Sequence, residues 1–353
     1  MNRNVPDLEE VARRRPTIVD VARRAGVSPA LVSFAVNDRP GVAGHTRTRI
    51  LEAAKELGWR PSASARALTE ARTRTIGLVL ARGADQLEFD SFFVRFLSGI
   101  ERMLAPADYA LLLQLIPTRD PTGALAAYER LAAGGRVDGF LLTDAQREDP
   151  RLPLLEAAGL PVVIAGRPVD DTGFPWVETE HDRGVTAAVE HLVGLGHERI
   201  AFLGGSETYE HVQRRLARWR EALSRAGLEP GTVAFAGTDL AGGAAAALEG
   251  EPTAVVCASD TLAMAVLAAA GERGLAVPHD LSVTGFDDSP LAALSSPALT
   301  SVRVDYGEFG AAATAALLAG INGTDPPAYN PSAPELEVRA STSAVPRRKV
   351  KIR

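Results

Sequence analysis

Catalysis needs a nucleophile, a base or a metal held at suitable spacing, and this chain offers little of that. It has six His and a single Cys, Cys257. No His-x-x-x-His and no Cys pair is present, so neither a metal site nor an intramolecular disulfide is expected. Gly83, Gly204-Gly205 and Gly242-Gly243 make no Gly-x-x-x-x-Gly-Lys-Ser/Thr phosphate loop. Asp287-Asp288 is a candidate carboxylate pair, but adjacent acids on a loop are commonly only polar surface, and no base–nucleophile set accompanies them. The expectation is no enzyme, no cofactor and no metal. Charge points to a different chemistry. The net charge of −6 hides an asymmetry: residues 1–75 hold 14 Lys and Arg against 8 Asp and Glu, the remainder 24 against 36. A basic head on an acidic body suits a polyanion partner for the head.

The elements that would present that head are legible at Thr17–Asn37. Ile18, Val21, Ala22 and Ala25 fall at i, i+3, i+4 and i+7, one apolar face of a helix. Thr17 is a candidate N-cap, and Gly26 ends the helix in the left-handed conformation. Ser28 caps a second helix with Pro29 at its first position. Leu31, Val32 and Ala35 point inward, while Pro29, Ala30, Phe34 and Asn37 point out. Two helices around a short turn, the second presented outward, is a geometry that enters a DNA major groove. Asp38-Arg-Pro-Gly is a turn by composition. A third helix is expected at about Thr46 to Leu57, with Ile50, Ala53, Ala54 and Leu57 closing a small core. Its cap is either weak, at Ala43-Gly44, or moved to Thr46. Gly58-Trp-Arg-Pro breaks it, and Ser62 then caps a short helix from Ala63 to Thr69.

From Thr75 the period changes. Short apolar runs (76–80, 110–115, 139–142, 162–165) alternate with helical patterns (89–104, 124–133, 152–158). A second series follows: runs at 200–203, 233–236, 254–257 and 281–284 among helical patterns at 185–195, 212–226, 243–248 and 262–273. Such alternation implies parallel sheets with right-handed crossovers. Two series imply two lobes, with a small ligand at the carboxyl ends of the strands between them.

Thr17–Asn37, with Arg39-Pro-Gly-Val, Ala53-Ala-Lys-Glu-Leu-Gly-Trp-Arg-Pro-Ser and Thr75-Ile-Gly-Leu-Val, resembles the lac-repressor (LacI/GalR) family of transcription regulators. The resemblance runs over about residues 17–343. It implies an α/β chain with a three-helix helix-turn-helix headpiece at 17–61 behind a flexible arm at 1–16. A hinge helix and linker follow at 62–74, then a two-lobed core, like periplasmic sugar-binding proteins, at 75–343. Three crossovers near Glu178, Val304 and Pro331 divide that core into lobes of 75–178 with 305–330 and 179–303 with 331–343. Glu335–Thr342 matches the family's last strand, and 344–353 is a basic tail without the extra tetramer-forming helix of some relatives.

By the same resemblance, DNA is contacted by Thr17, Ser28, Pro29, Ala30, Ser33, Phe34, Asn37 and Thr46. Ala65 and Leu68 of the hinge helix join them, with Leu68 as a wedge in the minor groove. Phe34 stands where the family often has Arg, so the base read there differs, an apolar contact replacing a bidentate one. Ser33 and Thr46 are candidate phosphate contacts. An inward-packed Phe34 is the alternative. For the effector, the family match implies Phe92, Phe93, Thr143, Arg215, Ser259, Asp287 and Tyr306. An Arg and an Asp converging on vicinal hydroxyls beside an aromatic face suit a sugar. Trp176 and Trp219 are read as structural. The function expected is a ligand-responsive repressor, a cytoplasmic, nucleoid-associated homodimer on a pseudo-palindromic operator, with induction by a sugar as the default direction. A solute-binding protein without a DNA role is the alternative, and a two-lobed sugar-processing enzyme a third reading. The acidic N-terminus is not a secretory leader, and no apolar run is long enough to span a membrane.

Overall fold

The computed structural model describes residues 16–60, 72–82, 91–117, 121–169 and 171–345. Two compact units lie within 1–73 and 74–353. The first holds α1 (Ile18–Ala25), α2 (Pro29–Val36) and α3 (Gly44–Glu56). Val21, Ala22, Ala25, Val32, Ala35, Ile50, Ala53 and Ala54 form its core. Ile18, Val27, Leu31, Val36, Val42, Leu57 and Trp59 pack half-buried against it, and local chemistry fixes the helix ends. Thr17 and Asp20 cap each other reciprocally at the start of α1, and Gly26 closes it at φ 64°. Ser28 accepts from the Leu31 N–H at 3.3 Å with Pro29 following. The third helix begins two residues earlier than the sequence suggests. Its cap is Ala43, with no side-chain hydrogen bond, and Thr46 lies inside the first turn. The cap is therefore weak, not moved to Thr46.

The second unit holds two sheets. Sheet one runs β2 (Ala110–Leu115), β1 (Thr75–Leu80), β3 (Gly139–Leu142), β4 (Val162–Ala165), β5 (Trp176–Val177), all parallel. Sheet two runs β11 (Glu335–Glu337), β10 (Thr300–Arg303), β9 (Ser282–Asp287), β8 (Ala254–Cys257), β6 (Ile200–Gly204), β7 (Val233–Phe235). It is parallel except for its edge, where β11 runs against β10. The closing strand is thus shorter than Glu335–Thr342. Beyond it Ser341 docks on β9, donating its hydroxyl to the Val283 carbonyl and accepting the Val283 N–H at its own carbonyl.

Helices cover the sheets: α4 (Ser91–Leu104), α5 (Pro121–Ala133), α6 (Arg151–Ala158), α7 (Asp182–Gly194), α8 (Glu210–Arg225), α9 (Leu240–Ala247), α10 (Asp260–Glu272), the short α11 (Pro290–Leu294) and α12 (Tyr306–Asn322). The chain passes between sheets after β5, after β10 and between α12 and β11. β10 and α12 are absent from the sequence-based pattern. α12 packs along α4 and onto β3 and β4, so it belongs to sheet one although it follows a strand of sheet two. The two helices approach closely because glycines face each other. A Cβ on Gly99 would strike the Gly307 carbonyl, and one on Gly310 the Phe96 carbonyl. Backbone cannot retreat as a flexible side chain can. Gly310→Ala should therefore lower stability by about 1–3 kcal/mol through overpacking. Urea unfolding followed by circular dichroism reads this as a lower midpoint, whereas the exposed helical Gly271→Ala should not destabilise.

Candidate functional site

On the first unit, α2 shows an outward face that is almost bare of hydrogen-bonding groups. Pro29, Ala30 and Phe34 are exposed, Phe34 by 40%. The inward alternative for Phe34 is thus not what the fold adopts. The Arg39 guanidinium lies 5.9 Å from the Phe34 ring centroid, so the aromatic face is flanked by a cation. Ser33 and Asn37, one turn apart, are joined by a 3.4 Å hydrogen bond from Asn37 Nδ2. Thr17 gives its hydroxyl proton to Asp20 Oδ2 at 2.7 Å. Thr46 is half-buried. Arg47, which sequence reasoning missed, pairs with Asp38 and donates to the Arg39 carbonyl at 2.9 Å, fixing the α2–α3 turn. Ala65 and Leu68 lie outside the described residues.

In the second unit, polar side chains gather where the strands of both sheets end. Asp287 closes β9, Ser259 follows β8, Thr143 and Asp144 follow β3, Arg82 follows β1, and Tyr306 opens α12 after β10. Arg215 reaches this place from α8. Its guanidinium stacks 3.8 Å from the Phe286 ring centroid, donates to the Ala258 carbonyl, and meets Tyr306 Oη at 3.4 Å. Tyr306 in turn donates to Asp287 Oδ1 at 2.7 Å. Arg215, Tyr306 and Asp287, three of the residues implied by resemblance, thus form one buried chain. Phe92 sits edge-on to Tyr306 at 4.7 Å. Phe93 is fully buried beneath Arg82, and Ser259 spends its oxygen as the N-cap of α10. Trp219 is core, but Trp176 is 43% exposed on edge strand β5 with Arg167 stacked on it. A groove of about 560 Å³ opens beside α4 at Val94, Arg95 and Ser98, sharing only Tyr306 with this cluster of strand-end groups.

The residues missed are as informative. Arg82 forms a bidentate pair with Asp144, Nη2 to Oδ1 at 2.8 Å and Nε to Oδ2 at 3.2 Å. The Arg82 guanidinium lies 4.8 Å from the ring centroid of Phe93 on α4, which covers sheet one, and 5.6 Å from that of Tyr209 in the sheet-two lobe. Glu210 N–H donates to the Ala145 carbonyl at 3.0 Å, so the start of α8 docks on the loop after β3. Arg95 donates to the Asp287 and Asp288 carbonyls at 3.0 and 2.6 Å. That clamp holds a strained turn, with Asp287 at φ 103° and Asp288 at φ 47°. For Arg82 and Asp144 the signal in the sequence was position: charged residues two places beyond a strand end.

Burial pushes the Asp144 carboxyl up, but the Arg82 charge and hydrogen bonds overcome this and leave it below its ordinary value. Burial and the Arg215 charge hold His211 at a pKa of about 3, despite the opposing pull of Asp144. Burial, Arg215, His211 and Arg214 hold His181 far below the usual histidine range. Thr143 Oγ1, His181 Nδ1 and the Arg215 Nε are buried with no hydrogen-bond partner among the described residues. Trp219 Nε1 and Thr284 Oγ1 in the core share that state, so what distinguishes these three is their place at the strand ends. The depressed histidine has a consequence for stability. Its unfolded form takes up a proton near pH 6.5, while the native form resists until about pH 3. Stability is complete above the upper value and declines as pH falls between the two, by up to about 1.4 kcal/mol per pH unit. Unfolding of the protein and of His211→Asn between pH 7 and 4 should diverge below pH 6.5, the substituted chain losing less.

Comparison with known proteins follows the same division. Residues 17–62 match the model for bacterial regulatory proteins of the lacI family, and residues 189–342 that for a periplasmic binding protein-like domain. The HTH-type transcriptional regulator CelR of Thermobifida fusca is 34% identical over 304 residues, 82% of this chain and 87% of that protein. A transcriptional regulator CelR–cellobiose complex shares the fold at TM-score 0.70 and 30% identity, over 93% of this chain and 100% of that one. A lac repressor dimer bound to operator and the anti-inducer ONPF matches at TM-score 0.81 and 26% identity, over 94% of this chain and 100% of that one. With an outward helix-turn-helix ahead of a two-sheet body whose strand ends converge, this chain belongs to the LacI family and is a DNA-binding transcriptional regulator, not an enzyme.

Proposed function

We propose that the chain is a homodimeric repressor whose grip on a pseudo-palindromic operator is set by a sugar bound between the two lobes. The observation that carries the effector half is the convergence of strand-end groups from both sheets around unpartnered Thr143 Oγ1, His181 Nδ1 and Arg215 Nε. Arg215 and Asp287 supply charged partners for hydroxyls, with Thr143, Ser259 and Tyr306 around them and Phe92 and Phe93 as aromatic floor. The cellobiose carried by the CelR complex supports a sugar as the ligand class. A ligand that touches both lobes favours the arrangement in which they are close, and can shift DNA affinity only through that difference.

For DNA, the reading assigns α2 to the major groove. Pro29, Ala30, Phe34 and Asn37 face base edges, Ser33 and Thr46 are assigned to phosphates, and Thr17 and Ser28 hold the helix starts. Ala65 and Leu68 are assigned to the hinge. With an apolar outward face, direct hydrogen-bond readout is sparse and deformability of the duplex carries more of the choice.

Two experiments test this. Fluorescence anisotropy with duplexes from upstream of the chain's own coding region should show salt-dependent binding that disappears when residues 1–75 are deleted. A sugar-induced thermal shift should survive that deletion, with about 2.7 kcal/mol of stabilisation at a hundredfold excess over Kd. Duplex binding retained by the deleted chain refutes the assignment. Phe34→Arg should move the preferred base toward guanine by about 1–3 kcal/mol at one position of each half-site. Selection from a randomised operator library reads that shift directly.

A further inference from the structure

Asp287 and Asp288 stand in a backbone conformation that suits glycine, at φ 103° and 47°. Both positions nevertheless use their side chains. Asp287 accepts from Tyr306 Oη among the strand-end groups. Asp288 accepts from Arg303 Nε of β10 at 2.9 Å and from Arg339 Nη2 of the closing segment at 2.6 Å. Sheet two thus holds this turn by a carboxylate, and α4 holds it by its backbone. Arg95 Nη1 donates to the Asp287 carbonyl and Nη2 to the Asp288 carbonyl. One turn earlier on the same helix, Phe92 lies edge-on to Tyr306. We infer that Arg95 is a positioning residue of the effector site: its grip on two consecutive carbonyls sets the Asp287 carboxylate before a sugar arrives, and links occupancy of that carboxylate to α4. The inference rests on the reading of this cleft as the effector site.

The physical case begins with the shape of a guanidinium. It presents its N–H groups in a rigid plane and can serve two acceptors at a fixed separation. Here both acceptors are carbonyls, and the direction of a carbonyl is set by the φ and ψ of the turn. Arg95 therefore holds a backbone conformation, where most arginines hold a side chain. Hydrogen bonds from a charged donor are stronger than neutral ones, and these offset the strain of two non-glycine residues at positive φ. Without them the turn relaxes and takes the Asp287 carboxylate with it. An incoming sugar must then restore the strained form, and its apparent affinity falls by the fraction of molecules that have left it. By linkage the effect is reciprocal. A hydroxyl that draws on the Asp287 carboxylate turns the backbone behind it, and the two carbonyls either carry Arg95 along or lose it. Arg102, two turns further along α4, offers a contrast, since it pairs with Glu308 of α12 on exposed surface.

Hydrogen exchange and titration calorimetry on the full chain test this. The Asp288 and Ser289 N–H groups are bonded to Ser301 Oγ and Asp260 Oδ2 at 3.1 and 2.6 Å. In Arg95→Gln these amides should exchange about tenfold faster or more as the strained turn opens, while Arg102→Gln leaves them as in the wild type. The saccharides are cellobiose and a panel of neutral mono- and disaccharides. Arg95→Gln should weaken the one the wild-type chain prefers by about tenfold or more. At saturating saccharide, where affinity no longer enters, the change it causes in operator Kd should shrink by about fivefold or more. Arg95→Lys keeps the charge without the planar fork and should recover part of both losses. A merely structural Arg95 would lower the melting temperature and leave the saturated response as it was. Unchanged amide exchange in Arg95→Gln overturns the inference, and so does an unchanged saturated response. Should no saccharide bind the wild-type chain, the sugar reading falls by itself, and the exchange rates still decide whether Arg95 holds the turn.

Discussion

A buried guanidinium is costly to leave unmet, and in this protein the groups that meet Arg215, at every nitrogen but Nε, organise the centre of the body. Arg215 stacks on Phe286, gives one hydrogen bond to the Ala258 carbonyl and another to Tyr306. Those three partners come from the ends of β9 and β8 and from the start of α12. Tyr306 then serves Asp287, so a single cation ties together two strand ends of one sheet and the helix that belongs to the other. Leaving any of these groups unmet in a buried setting would cost several kcal/mol.

The same logic extends outward from Arg215. Tyr306 opens α12, and α12 lies against α4 at glycine-to-backbone distance, with Phe92, Phe96 and Phe309 filling the space beside the crossing. Arg95, also on α4, holds the Asp287–Asp288 carbonyls in their left-handed turn. Asp287 is thus tied to α4 twice, through Tyr306 and Phe92 and through Arg95. Packed helices and bidentate clamps move as bodies or rearrange outright.

What could be read in the sequence was what is local. Thr17, Gly26, Ser28 and Pro29 act within four residues of where they stand, so both ends of the first helix pair were legible, as were the apolar runs of the strands. α12 was not. Its Gly- and Ala-rich stretch is buried on several faces, and a helix buried all round has no polar stripe to give it a period. The weak start of α3 was anticipated as one of two alternatives, and only three-dimensional structure decided between them. At the strand ends the divide was sharper. Arg215, Asp287 and Tyr306 entered through a resemblance in motif, whereas Arg82 and Asp144 are separated by 62 positions and neither belongs to a motif. The neutrality of His181 and His211 is invisible in one dimension, because it is produced by burial and by arginines that the fold brings near.

The headpiece obeys an opposite economy. Its fully buried core consists of five alanines, two valines and one isoleucine, with Ile18, Val27, Leu31, Val36, Val42, Leu57 and Trp59 packed half-buried against it. In so small a unit, hydrogen bonds at the helix ends, each worth about 1 kcal/mol, carry a larger share of the stability than they would in the body. Thr17 belongs to this economy first, since its hydroxyl is already engaged with Asp20. In the proposed reading, an outward face of Pro29, Ala30 and Phe34 loses little side-chain entropy on contact and reads the shape of a duplex before its donors. Under that reading, discrimination depends on how firmly α2 is held, which returns the problem to Arg47 and Asp38 at the turn behind it.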